Sequence, residues 1–149
     1  MPVLDRICEG VKMTQHVDIN AVIAAPVEAR RQRGARAYHS GVAAEDIALR
    51  TYLAAGLSLR AARWRGASGE IDMILDDCGV AVFAEVKKAQ THDAARQSLR
   101  PAQMARIHAA AAEYVARLPG GQLTEMRFDL VTVDATGHCD VMKGALSHF

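Results

Sequence analysis

The chain has little aromatic surface, since Trp, Tyr and Phe make up 5% of it and Trp64 is the lone tryptophan. That argues against a protein that holds single strands mainly by stacking bases on aromatic platforms. Cysteine is scarce as well. Cys8, Cys78 and Cys139 are odd in number, far apart and free of C-x-x-C spacing, so neither a disulfide framework nor a cysteine zinc site is expected. His138 stands beside Cys139, but an adjacent pair without two further ligands reads as incidental. No apolar run approaches the ~20 residues that span a bilayer, and the N-terminal MPVLDRICEGVKMTQHVDIN has no h-region. A soluble protein of a reducing cytoplasm, with no membrane partner, is the expectation.

Net charge is also nearly absent, at +1, although Arg30, Arg31, Arg33 and Arg36 crowd one stretch. That local patch is a candidate nucleic-acid contact, and a merely solvated charge run fits it too. What is plentiful is aliphatic residue: half of the 149 positions are hydrophobic, enough for one domain with a sizeable core.

Residues 1–39 show no sustained period of 2 or 3.6, and Pro26 interrupts their short apolar stretch, so a flexible N-terminal extension is expected there. Ser40 stands as an N-cap before a helix whose stripe is Ala44, Ile47, Ala48, Tyr52 and Ala55, with Gly56 closing it. LSLRAARWR, GEIDMILD and VAVFAEVKK read as strands, and QTHDAARQS as a polar loop. A second helix begins near Pro101 and buries Met104, Ile107, Ala111, Tyr114 and Leu118. PGGQ ends it, and MRFDLVTVD is a further strand. The order is αβββαβ, an α/β domain over residues 40–149.

GEIDMILDDCGVAVFAEVKK, residues 69–88, sets carboxylates into a hairpin that otherwise reads as core. Alternation puts Glu70 with Asp72, and Glu85 with Lys87. A turn at Asp76–Gly79 centres the pairing between Asp77 and Cys78, which sets Asp72 opposite Phe83 and Glu70 opposite Glu85. Asp72 and Glu85 are then diagonal neighbours at roughly 7–8 Å, close enough to share a hard cation such as Mg²⁺. Lys87 follows on the same face, able to orient a water or to pair with a carboxylate. An exposed sheet face with cross-strand ion pairs fits this geometry equally well. Glu45 shares a helix side with Ala48, Leu49 and Tyr52, which turns it toward the sheet; a first-turn Glu complementing the helix dipole is the alternative.

The segments GVAAEDIA, RWRGASGEIDMI, VFAEVKK, QMARI and RFDLV together resemble the YraN-like family of bacterial proteins, over about residues 40–135. The core of that family is similar to Holliday junction resolvases and other PD-(D/E)XK nucleases. The resemblance implies a restriction-endonuclease-like core, a mixed sheet flanked by helices, with Asp72, Glu85 and Lys87 as the D, E and K of the motif. It also implies that Glu45 is the acidic residue of the first helix and that Gln103 is the polar position after the motif, toward nucleic acid. Ala89, Ala102 and Arg63 depart from the residues common in relatives, at positions that bear on phosphate contacts rather than on metal ligands.

A Mg²⁺- or Mn²⁺-dependent endonuclease acting on DNA, including branched structures, is thus the leading expectation. Asp72, Glu85 and the Val86 carbonyl would hold the metal, Lys87 would position water, and Glu45 would assist. Arg63 and Arg65 would grip phosphates, with Arg60 on the opposite strand face; solvated edge charges are the alternative. A non-catalytic nucleic-acid-binding protein with the same fold, or an interaction protein using its apolar helices, would carry the same core. A homodimer is expected by fold analogy alone.

Overall fold

The computed structural model describes residues 19–147, with side chains described for 30–36 and 40–147. The chain divides into two units, Met1–Ala35 and Arg36–Phe149. In the first, the described residues 19–35 are helical.

Helix α1 runs Ile19–Ala54, so Ser40 lies within a helix rather than capping one. The expected N-terminal extension is therefore helical from Ile19, and its residues 1–18 lie outside the described part. Apart from Gly34, residues 28–37 are Ala, Arg, Gln and Glu, strong helix formers even without an apolar stripe. Periodicity alone did not register that. The other end is as expected. Gly56, at φ +92°, takes the C′ place of a Schellman motif, in which the Leu57 N–H donates to Tyr52 O at 3.1 Å and the Gly56 N–H to Leu53 O at 3.0 Å. Leu57 packs in the same buried cluster as Tyr52, which completes that motif.

Strands β1 Ser58–Arg65, β2 Glu70–Asp77, β3 Val80–Lys88, β4 Met126–Val133 and β5 Cys139–Met142 form one mixed sheet in the order β1-β2-β3-β4-β5. Only β3 and β4 are parallel. Their connection carries the short helix α2, His92–Gln97, and α3, Pro101–Val115. Pro101 opens α3 as expected. Helix α2 replaces the expected polar loop: the Thr91 hydroxyl caps it by accepting from the Ala94 N–H at 3.2 Å. Six residues are too few to display a helical period. The four-residue β5 is likewise too short to show the alternation of a strand.

Each sheet face is covered. On one, Met104, Ile107, Ala110, Ala111 and Val115 of α3 pack on Ile71, Ile74, Phe83, Phe128 and Leu130, with Tyr114 and Leu118 against them. Full burial of side chains such as Ile107 or Phe83 stabilises by about 1.5–3 kcal/mol each. On the other, Ala48 and Tyr52 of α1 pack on Met73, Leu75, Val82, Ala84 and Val131. Ala44 is buried as expected, whereas Ala55 is exposed and Ile47 only half-buried. Among the described residues, no helix is long and apolar enough to cross a membrane.

Among the described residues, one carboxylate is wholly interior. Asp129 of β4 accepts from the Tyr52 hydroxyl at 3.0 Å, from Arg127 at 2.9 and 3.1 Å and from the Gly144 N–H at 2.9 Å. Arg127 also reaches Asp77 at 2.7 Å, so a single polar network ties α1 to the sheet. Burial first, and then the Asp129 charge, push the Tyr52 hydroxyl pKa well above its usual value.

Candidate functional site

The site begins in the β2–β3 turn. Cys78 and Gly79 both take positive φ, +51° and +93°, as the two centre residues of a tight hairpin turn between the paired Asp77 and Val80. The pairing is thus centred between Cys78 and Gly79. Ile74, not Asp72, lies opposite Phe83, a shift of two residues from the expected register. The shift leaves face parity unchanged, but it turns the expected diagonal into a direct approach: continued, this register sets Asp72 against Glu85. The regular ladder stops at Met73 and Ala84, just before that pair.

On the other side of β2 the pairing runs Ala62 with Met73 and Trp64 with Ile71, passing over Arg63 and Asp72. Arg63 has φ +48°, uncommon for a non-glycine residue. Alternation is broken at the same place: Ile71 packs with Ile74 on the α3 side, while Met73 packs with Leu75 on the α1 side. Asp72 therefore sits where the sheet is irregular toward both neighbours, which frees its side chain from the pleat.

Three carboxylates converge there. Asp72 Oδ2 accepts from the Val86 N–H at 2.8 Å, and its carboxyl is hydrogen-bonded to Glu85 within the field of Glu45. Burial foremost, then the Glu85 charge, push the Asp72 carboxyl up to about 7, with Glu45 adding and the Val86 N–H opposing. Glu85, only 5% exposed, accepts from Gln103 of α3 and pairs with Lys87 Nζ at 2.9 Å. Glu45 of α1 is held by Arg63, Nε to Oε2 at 2.8 Å and Nη2 to Oε1 at 3.2 Å.

The structure thus joins Glu45, Asp72, Glu85, Lys87, Gln103 and Arg63 in one connected group. Glu70 is outside it, paired with the exposed Arg65 at 2.7 Å. Arg60 is paired with Asp76. The expected face of four charges is corrected in this one respect, because the break at Asp72 separates it from Glu70. A cavity of about 540 Å³ opens nearby along the chain, lined by Ser40, Gly41, Lys88, Ala89, Gln90 and Ala135; none of the three carboxylates lines it.

Burying carboxylates against one another is unfavourable unless a proton or a cation lies among them. The raised Asp72 pKa is the proton solution. The donor set, hard oxygens with a lysine beside them, suits a hard divalent cation equally well.

A model of "Uncharacterised protein family UPF0102" matches residues 44–133, a span that contains every member of this group. The chain is 46% identical to a UPF0102 protein of Ruegeria sp. over 118 residues, covering 79% of this chain and 95% of the relative. It is 45% identical over 122 residues to a UPF0102 protein of Ruegeria pomeroyi, covering 82% and 99%, and 44% identical over 119 residues to one of Roseobacter denitrificans, covering 80% and 92%. The chain therefore belongs to the family UPF0102, the YraN-like family that its G-E-I-D and E-V-K segments resemble.

Proposed function

We propose that this protein is a Mg²⁺- or Mn²⁺-dependent endonuclease acting on DNA, with branched and four-way junction structures as its first substrates to test. The observation that carries the reading is the contact between Asp72 and Glu85 in the field of Glu45, with Asp72 pushed up to about 7. Asp72 and Glu85 would hold the cation. The Val86 N–H faces Asp72, and a strand residue's carbonyl lies on the same side as its N–H, so the Val86 carbonyl would join them. When bound, such a cation neutralises charge at the attacking and leaving oxygens of a phosphodiester.

The chain's own groups do the rest. Lys87, 2.9 Å from Glu85, would orient the attacking water and stabilise negative charge on the phosphate. Glu45 would accept a proton from that water once Arg63 turns to the DNA backbone. Gln103 keeps Glu85 aimed into the site, and Arg65, 79% exposed at its side chain, would contact phosphate. A cytoplasmic location and a homodimer belong to the same reading.

One observation favours a non-catalytic nucleic-acid-binding protein instead: Arg63 already neutralises Glu45, and Lys87 already neutralises Glu85. Titration of Mg²⁺ and Mn²⁺ into wild type and Glu85→Ala, with cleavage of labelled linear, flapped and four-way DNA, separates the two. Binding and cleavage present in wild type and lost in Glu85→Ala support the nuclease. DNA binding without cleavage in any of these metals overturns it in favour of the second reading.

A further inference from the structure

His92 is well separated in sequence from Asp134 and His138, yet one ligand atom from each of the three lies within 4.8 Å of the others. His92 is the first residue of α2, while Asp134 and His138 belong to the turn between β4 and β5. His138, whose adjacency to Cys139 reads as incidental, finds its partners here instead.

The local hydrogen bonds aim these atoms at one another. His92 Nδ1 lies 2.6 Å from the hydroxyl of the fully buried Thr132, so a proton on Nδ1 donates to Thr132 and leaves the Nε2 lone pair outward. That Nε2 is 3.1 Å from His138 Nδ1 and 3.6 Å from Asp134 Oδ2. Asp134 Oδ1 is occupied by the Thr136 N–H at 2.9 Å, the Thr136 hydroxyl at 2.7 Å and the His138 N–H at 3.0 Å. Those bonds fix the carboxylate and leave Oδ2 to face the imidazoles.

Two ring nitrogens 3.1 Å apart repel unless a proton or a cation lies between them. Ligands about 2.0–2.1 Å from a tetrahedral Zn²⁺ are separated by roughly 3.3 Å from each other, and the 3.1 and 3.6 Å separations straddle that value. We propose that His92 Nε2, His138 Nδ1 and Asp134 Oδ2 form a binding site for a divalent transition metal of the Zn²⁺ class, with water as the fourth ligand. Imidazole donors favour Zn²⁺ or Co²⁺ over Mg²⁺, so this site and the all-oxygen group at Asp72 select different ions. Thr132 supplies the outer hydrogen bond that orients a metal-binding histidine. The bound ion ties the start of α2 to the β4–β5 turn.

The test is a calorimetric titration of Zn²⁺ into the full chain with Mg²⁺ saturating, alongside Co²⁺ titration followed by its visible absorption. Wild type, His138→Gln, Asp134→Asn and Glu85→Gln are compared. Expected is one Zn²⁺ per chain and a tetrahedral Co²⁺ band in wild type and Glu85→Gln. His138→Gln and Asp134→Asn should lose about tenfold or more in affinity and lose the band. His138 is exposed, so its variant should melt like metal-free wild type. No uptake in wild type, equal uptake in His138→Gln, or uptake lost only in Glu85→Gln overturns the site; a proton shared between the two imidazoles then accounts for their approach.

Discussion

The Arg63 guanidinium lies along the Glu45 carboxylate in a two-pronged pair, with Nε–Oε2 at 2.8 Å and Nη2–Oε1 at 3.2 Å. Planar fork geometry of this kind is hard for lysine to reproduce. It covers with positive charge the only one of the three carboxylates that comes from a helix.

Arg63→Gln should therefore strengthen Mn²⁺ binding by about three- to tenfold, because it uncovers a negative charge beside Asp72 and Glu85. The partly exposed pair contributes little to stability, so the variant should lose about 1 kcal/mol or less. The same substitution should weaken DNA binding and lower the slope of log affinity against log salt by about one. Calorimetry with Mn²⁺ and salt-dependent DNA binding check both. An unchanged salt slope removes Arg63 from the phosphate contacts.

Asp72 makes the folded protein sensitive to pH in a direction opposite to that of an ion-paired carboxylate. Its folded pKa, about 7, stands above the ordinary 3.8. Between those values the folded chain keeps a proton that the unfolded chain has released, so stability from this group is full below about pH 4 and is lost as pH rises through about 7. Asp72→Asn should melt higher than metal-free wild type at pH 8, on the order of 1–3 kcal/mol after allowing for relaxation around the site, and no higher at pH 4. Mg²⁺ should raise the melting temperature of wild type but not of the variant, with an affinity that increases with pH through about 7. Thermal melts at both pH values, with and without Mg²⁺, decide it.

The contact between Asp72 and Glu85 was legible because E-I-D and E-V-K set carboxylates on strands that otherwise read as core. The register that brings them together was not, because it depended on whether Cys78 would accept a positive φ. Nothing in the residue pattern marked Arg63 for a left-handed backbone or the sheet for a gap at Asp72. The faces of α3 and the end of α1 followed from apolar spacing and Gly56. The start of α1 did not, since residues 19–39 are helical without a period, and α2 and β5 are too short to show one.

Cys78 offers a stabilising change. It occupies the first of two positive-φ positions in a turn where Asn-Gly is the favoured pair. Its side chain is exposed, so Cys78→Asn disturbs no packing. The variant should gain about 0.5 kcal/mol or somewhat more and leave metal binding unaltered. Urea denaturation measures the gain. A loss would mean that the turn draws on the cysteine side chain itself.

Asp129 is the most deeply buried carboxylate among the described residues, and its surroundings predict the largest single cost. Asp129→Ala leaves the Tyr52 hydroxyl, the Gly144 N–H and two Arg127 contacts without their acceptor, inside a network that joins α1 to β4. Removing one partner of a buried ion pair typically destabilises by about 3–5 kcal/mol, because the remaining charge stays desolvated. Arg127 retains Asp77 at 2.7 Å, which should hold the loss to the lower part of that range. Tyr52→Phe, which removes one hydrogen bond and leaves Arg127 paired, should cost only about 1 kcal/mol. Urea midpoints for the two variants and their combination test this ordering. Less-than-additive loss in the double variant is expected, since the Tyr52 hydroxyl has no acceptor to lose once Asp129 is gone; strict additivity would mean that Tyr52 and Asp129 stabilise the fold independently despite their 3.0 Å contact.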